Sequence, residues 1–72
     1  MVKRKKKLHH DWHHRKPRSQ GGTSEDRNMS HVSVAKHRAW HTLFKNFTPE
    51  EIAKIINDTW IDCDYRLVVM RR

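Results

Sequence analysis

The chain has 72 residues, 35% of them hydrophobic, and a net charge of +8, which gives room for one small domain with a thin core. Its single cysteine, Cys63, excludes a disulfide within the chain and a cysteine-built zinc site, so any metal must be met by histidine, carboxylate or water. No apolar run approaches the ~20 residues of a membrane span, and the basic start lacks the hydrophobic stretch of a secretory signal; a cytoplasmic setting without a membrane partner is the expectation.

The charge is lopsided. Residues 1–47 hold twelve Lys and Arg against three acids, while residues 48–72 hold four against five. A basic front half points to a polyanionic partner, and nucleic acid is the usual one. "VKRKKK" (2–7) forms a basic arm, residues 1–7, that is expected to order on phosphate; Lys5 and Lys6 are its candidate contacts. "LHHDWHH" (8–14) reads as a strand, because Trp12 favours sheet and a proline turn follows. "PRSQGGTSEDRN" (17–28) is turn chemistry throughout, and Pro17 pushes Lys16 away from helical geometry. "MSHVSVA" (29–35) alternates and predicts a second short strand.

"KHRAWHTLFKNF" (36–47) has helical spacing. Trp40, Leu43, Phe44 and Phe47 form an apolar stripe, with His37 and His41 along one edge. "TPEE" predicts a fresh start: Thr48 as N-cap, Pro49 at the first helical position and Glu51 closing a capping box. That helix runs to about Trp60 and is expected to bury Ile52, Ile55, Ile56 and Trp60. "DYRLVVM" (64–70) reads as a closing strand. Trp12, Trp40 and Trp60 could stack on bases; Trp40 and Trp60 are expected in the core, and the sequence does not choose between the two roles for Trp12.

Four histidines and one asparagine make a candidate site. His37 and His41 are four apart, so on a helix they share a face and suit chelation of one divalent ion. His13 and His14 are adjacent on a strand, so they point to opposite sides. One can join a metal while the other stays free to move a proton, the division of labour that phosphodiester hydrolysis needs. Asn28 ends the loop, where its amide could hold the turn or orient the base. His9, His10 and His31 are spares, with His9 and His10 expected at the surface or as phosphate contacts. Were residues 8–16 helical, His9 with His13 and His10 with His14 would make a rival site. Arg15, Lys16, Arg18 and Arg38 flank the motif as candidate phosphate clamps.

These residues resemble the HNH endonuclease family, many of whose members carry Asp-His-x-x-Pro-Arg-Ser-x-Gly-Gly, then an Asn, then a His or Asn on a helix. "HHRKPRSQGG" (13–22) matches that string with His13 in place of Asp, and the steps of 14 residues from His14 to Asn28 and 9 from Asn28 to His37 agree with it. The His-His start and the extra His41 are also similar to the DNase domains of nuclease colicins. The resemblance covers residues 8 to about 46. It implies an α+β fold: a small ββα-metal hairpin-plus-helix core at 8–46, with residues 47–72 adding a helix and short strand that pack on it. It further implies a metal-dependent DNA endonuclease that leaves a 5′-phosphate. His14 would be the general base, Asn28 the orienting residue, and His13, His37 and His41 the ligands of one divalent ion (Mg, Mn, Ni or Zn). Two features depart from the family. The two Cys-x-x-Cys pairs that often frame the motif are missing, with Ser33 and Lys36 in the second pair's places. Only a dozen residues precede the base, which suits a fragment, a partner-dependent subunit or a binding module with weak activity, and the thin core suits a homo-oligomer or a larger protein partner. The alternative is a non-catalytic basic nucleic-acid-binding module with a structural or vestigial metal site; a basic structural protein with incidental histidines is the plainest reading.

Overall fold

The computed structural model describes residues 9–72; the basic arm, with Lys5 and Lys6, and the expected strand start at Leu8 lie outside that range. Strand β1 (His10–His14) pairs antiparallel with β2 (Met29–Ser33), with His10 opposite Ser33, Trp12 opposite His31 and His14 opposite Met29. Helix α1 (Val34–Phe44) follows β2 without a loop, and helix α2 (Pro49–Ile55) continues into a wider turn over Ile56–Trp60. The chain is therefore mixed α+β, with a two-stranded sheet and two helices. Among the described residues, no helix is long and apolar enough to cross a membrane.

Local chemistry accounts for most of these boundaries. Ser33 ends β2 and caps α1, its hydroxyl accepting the Lys36 N–H at 3.1 Å. The helix thus begins at Val34, whereas the alternation of 29–35 predicts strand through Ala35. It ends at Phe44, three residues before the expected 47, in a tight turn closed by the Phe47 N–H on the Phe44 carbonyl at 3.0 Å. Lys45, the first central residue of that turn, has φ 47° and ψ −129°, a conformation that favours glycine. The capping box at α2 forms as the sequence predicts: Thr48 Oγ1 accepts from Glu51 N at 3.1 Å, and Glu51 Oε1 accepts from Thr48 N at 2.8 Å.

The core is thinner than the apolar pattern suggests. Phe44, packed on the Trp40 ring at 4.7 Å between centroids, is the one buried hydrophobic side chain among the described residues. Leu43, Trp40 and Trp60 are not core residues: they keep 43%, 37% and 61% of their surface. Ile52, Ile55 and Ile56 are half-buried. Trp60 leaves their stripe because the turn over Ile56–Trp60 is closed by a five-residue hydrogen bond, Ile61 N–H to the Ile56 carbonyl at 3.0 Å. That widening rotates the residue off a 3.6-residue period.

Residues 64–70 are not a strand. Asn57 takes the place of a pairing strand: its Oδ1 accepts the Leu67 N–H at 2.8 Å and its Nδ2 donates to the Leu67 carbonyl at 3.0 Å. An Asp62 turn, with the Tyr65 N–H on the Asp62 carbonyl at 2.9 Å, opens this run.

Candidate metal centre

β1 residues alternate between the two faces of the sheet, and α1 covers one of them. Asp11 and His13 point to the helix; His10, Trp12 and His14 point away. The strand at 10–14 removes the rival arrangement of His9 with His13 and His10 with His14, which needs a helix. His37 and His41 come from successive turns of α1 and meet His13 across the sheet. The ring centroids lie 5.2 Å (His13–His37), 5.5 Å (His13–His41) and 4.8 Å (His37–His41) apart, all edge-on. One nitrogen from each of the three lies within 4.8 Å of the others.

The protons on the helical pair follow from their partners. His37 Nδ1 sits 3.2 Å from Asp11 Oδ2. His41 Nδ1 sits 3.2 Å from the Lys45 carbonyl, which the tight turn directs back at the ring. Carboxylate and carbonyl oxygens only accept, so both Nδ1 atoms carry the hydrogen in the neutral rings. Both Nε2 atoms then present lone pairs, and they face each other at 3.1 Å. Two lone pairs at that distance repel unless a proton or a cation lies between them. His13 adds a third donor: its Nδ1 is buried with no hydrogen-bond partner among the described residues. Its pKa is pushed down, first by burial and then by His37, His41, His14 and Arg15, which keeps the ring neutral and able to donate electrons.

This donor set fits a first-row divalent ion. Imidazole nitrogens about 2.0–2.1 Å from a tetrahedral ion stand roughly 3.3 Å from each other, close to the spacing of the two Nε2 atoms. Engagement of the second ring nitrogen by a carboxylate or carbonyl is the arrangement that orients metal-binding histidines.

Beside the three rings lies an open cavity of about 400 Å³ lined by His13, Arg15, Ser30, Val32, Lys36, His37 and Trp40. Arg15 and Lys36 put two cations next to the cluster, suited to a phosphate. The other candidate clamps, Lys16, Arg18 and Arg38, are exposed and do not line it. Sequence reasoning missed Asp11, Lys36 and Trp40. Asp11 had a readable signal, its place two residues before His13 on the same strand face; Lys36 and Trp40 had none beyond being next to a candidate ligand or in the apolar stripe.

Asn28 holds the loop and does not touch the His14 ring. Its Oδ1 accepts the Lys16 N–H at 2.7 Å, and its Nδ2 donates to the carbonyls of Thr23 (2.7 Å) and Lys16 (3.1 Å). Its own carbonyl takes the Arg15 N–H at 2.7 Å. The Pro17–Gly22 string supports this clamp. The Pro17 carbonyl accepts from both Gln20 and Gly22 at 2.9 Å, and Gly21 takes φ 88°. Gly22 passes so near the strand end that a Cβ would lie 1.8 Å from the Lys16 carbonyl oxygen. The Gln20 side chain donates to the Asn46 carbonyl, tying the loop to the end of α1. His14 is half-buried at the end of β1, on the face away from the helix, with Nε2 3.1 Å from Ser24 Oγ.

No family of known proteins, no curated protein and no solved structure matches this chain.

Proposed function

We propose that the chain is a metal-dependent DNA endonuclease of HNH type, built on a ββα-metal core. The observation that carries this reading is the approach of the His37 and His41 Nε2 atoms to 3.1 Å, with the His13 ring edge-on to both rings. His13, His37 and His41 would hold one divalent ion, which supplies charge stabilisation to the phosphate and to the departing 3′ oxygen. Arg15 and Lys36 seat the phosphate in the adjoining cavity. His14 takes the proton from the attacking water. When its Nε2–H donates to Ser24 Oγ, its Nδ1 lone pair is free for that proton. Asn28 acts one step back, fixing the backbone at Lys16 and so the end of the strand that carries His14.

Plasmid nicking with Mg²⁺, Mn²⁺, Ni²⁺ or Zn²⁺ tests this. His14→Ala is expected to keep metal affinity and lose cleavage, whereas His41→Ala weakens both. Undiminished cleavage by His14→Ala overturns the assignment of the base. A second reading, a non-catalytic nucleic-acid-binding module with a structural metal, draws on one observation: His14 lies on the sheet face opposite the three-histidine cluster. It predicts metal binding without nicking under all four ions.

A further inference from the structure

The two faces of the sheet present their rings in opposite ways. On the helix side the histidines meet edge-on, at interplanar angles of 61° to 77°, so that nitrogens converge. On the outer side the rings are closer to parallel. Trp12 stacks on His31 across the strand pair, with centroids 4.7 Å apart and planes 27° from parallel. His31 in turn meets His10 at 5.0 Å and 38°. This side offers π faces where the other offers lone pairs.

The outer row is not spent on the fold. Trp12 keeps 63% of its surface, and His10 and His31 are exposed. No helix among the described residues covers them. Along β1 the row runs His10, Trp12, His14, each two residues on, or about 6.8 Å. Beyond His14 the same end of the hairpin carries Lys16 after β1 and Arg27 two residues ahead of β2, both exposed. A strand of bases laid on the rings therefore brings its phosphates to cations. In a duplex the π faces of the bases are already stacked, so this surface fits unpaired nucleotides.

We infer that the outer sheet face is a binding platform for unpaired DNA, with bases stacking on Trp12 and its neighbours His31 and His10 and the strand running toward His14. The inference deepens the endonuclease reading and rests on it for the choice of DNA and for the role of His14: it makes the substrate a single-stranded or frayed segment. The stacking itself needs no metal, which lets the two be tested apart.

The test is fluorescence anisotropy of the full chain in EDTA, where no cleavage occurs and at a temperature where circular dichroism shows the chain folded, with a labelled oligothymidylate, an abasic strand of equal length and a duplex. Base stacking on one aromatic is worth about 1–3 kcal/mol, so Trp12→Ala is expected to weaken oligothymidylate binding about ten-fold. Duplex and abasic binding, carried by the cations, should change less than two-fold. Trp12→Phe, which keeps a stacking face, should restore most of the loss and so separates stacking from misfolding. Equal affinity of the wild-type chain for abasic and base-bearing strands overturns the proposal, as does an unchanged Trp12→Ala variant. Loss of metal-dependent nicking with this binding pattern intact would count against the endonuclease reading alone.

Discussion

The proton on His37 has one place to sit: on Nδ1, facing the Asp11 carboxylate 3.2 Å away. Asp11 therefore decides which nitrogen of His37 is open, much as the Lys45 carbonyl does for His41. Partners of this kind are worth roughly 10–100-fold in metal affinity. Asp11→Ala is accordingly expected to weaken zinc binding within that range while leaving the secondary structure by circular dichroism unchanged; unaltered affinity would remove Asp11 from the site. The same cluster sets a pH dependence. His13 releases its proton more readily in the folded chain than its ordinary value of 6.5. The unfolded chain then binds more protons below that value, so stability rises with pH. In chelator-treated protein this contribution should be complete above pH 6.5 and lost as pH falls through 6.5 toward the lowered folded value. Thermal melts across that window check it, and His13→Gln should flatten the fall.

At the scale of elements, the hairpin is held at its connected end by hydrogen bonds of the long loop. Asn28 pins both backbone groups of Lys16, and Gly22 makes the close approach possible. Gly22→Ala would force a methyl group into the Lys16 carbonyl, and overpacking of this sort costs about 1–3 kcal/mol. Urea unfolding should show that loss, and the displaced end of β1 should lower nicking with it. Wild-type stability in Gly22→Ala would contradict the clamp.

What the sequence discloses follows the range of each interaction. The capping box at Thr48–Glu51 and the four-residue step that sets His37 and His41 on one helix face are short-range, and both form as read. The convergence of His13 on that pair was legible only through the HNH-like string, because no local rule joins a strand to a helix more than twenty residues on. Trp60 misled because a large apolar ring at a stripe position reads as core, while one wide turn rotates it outward. Residues 64–70 misled because their β-favouring side chains say nothing of Asn57, whose amide occupies the backbone groups of Leu67.

Across the whole molecule, Phe44 is the one buried apolar side chain among the described residues, so burial alone leaves the fold little reserve. A cation that binds only the folded chain adds stability by mass action, about 2.7 kcal/mol at a hundred times its dissociation constant. If His13, His37 and His41, from two distant segments, share one ion as proposed, metal binding and folding are coupled. Calorimetric titration of the chelator-stripped chain with zinc or nickel at neutral pH tests this most directly. The account predicts one ion per chain, and binding lost in His13→Ala, His37→Ala and His41→Ala alike. Absence of binding in the wild-type chain, or binding that survives all three substitutions, would contradict it.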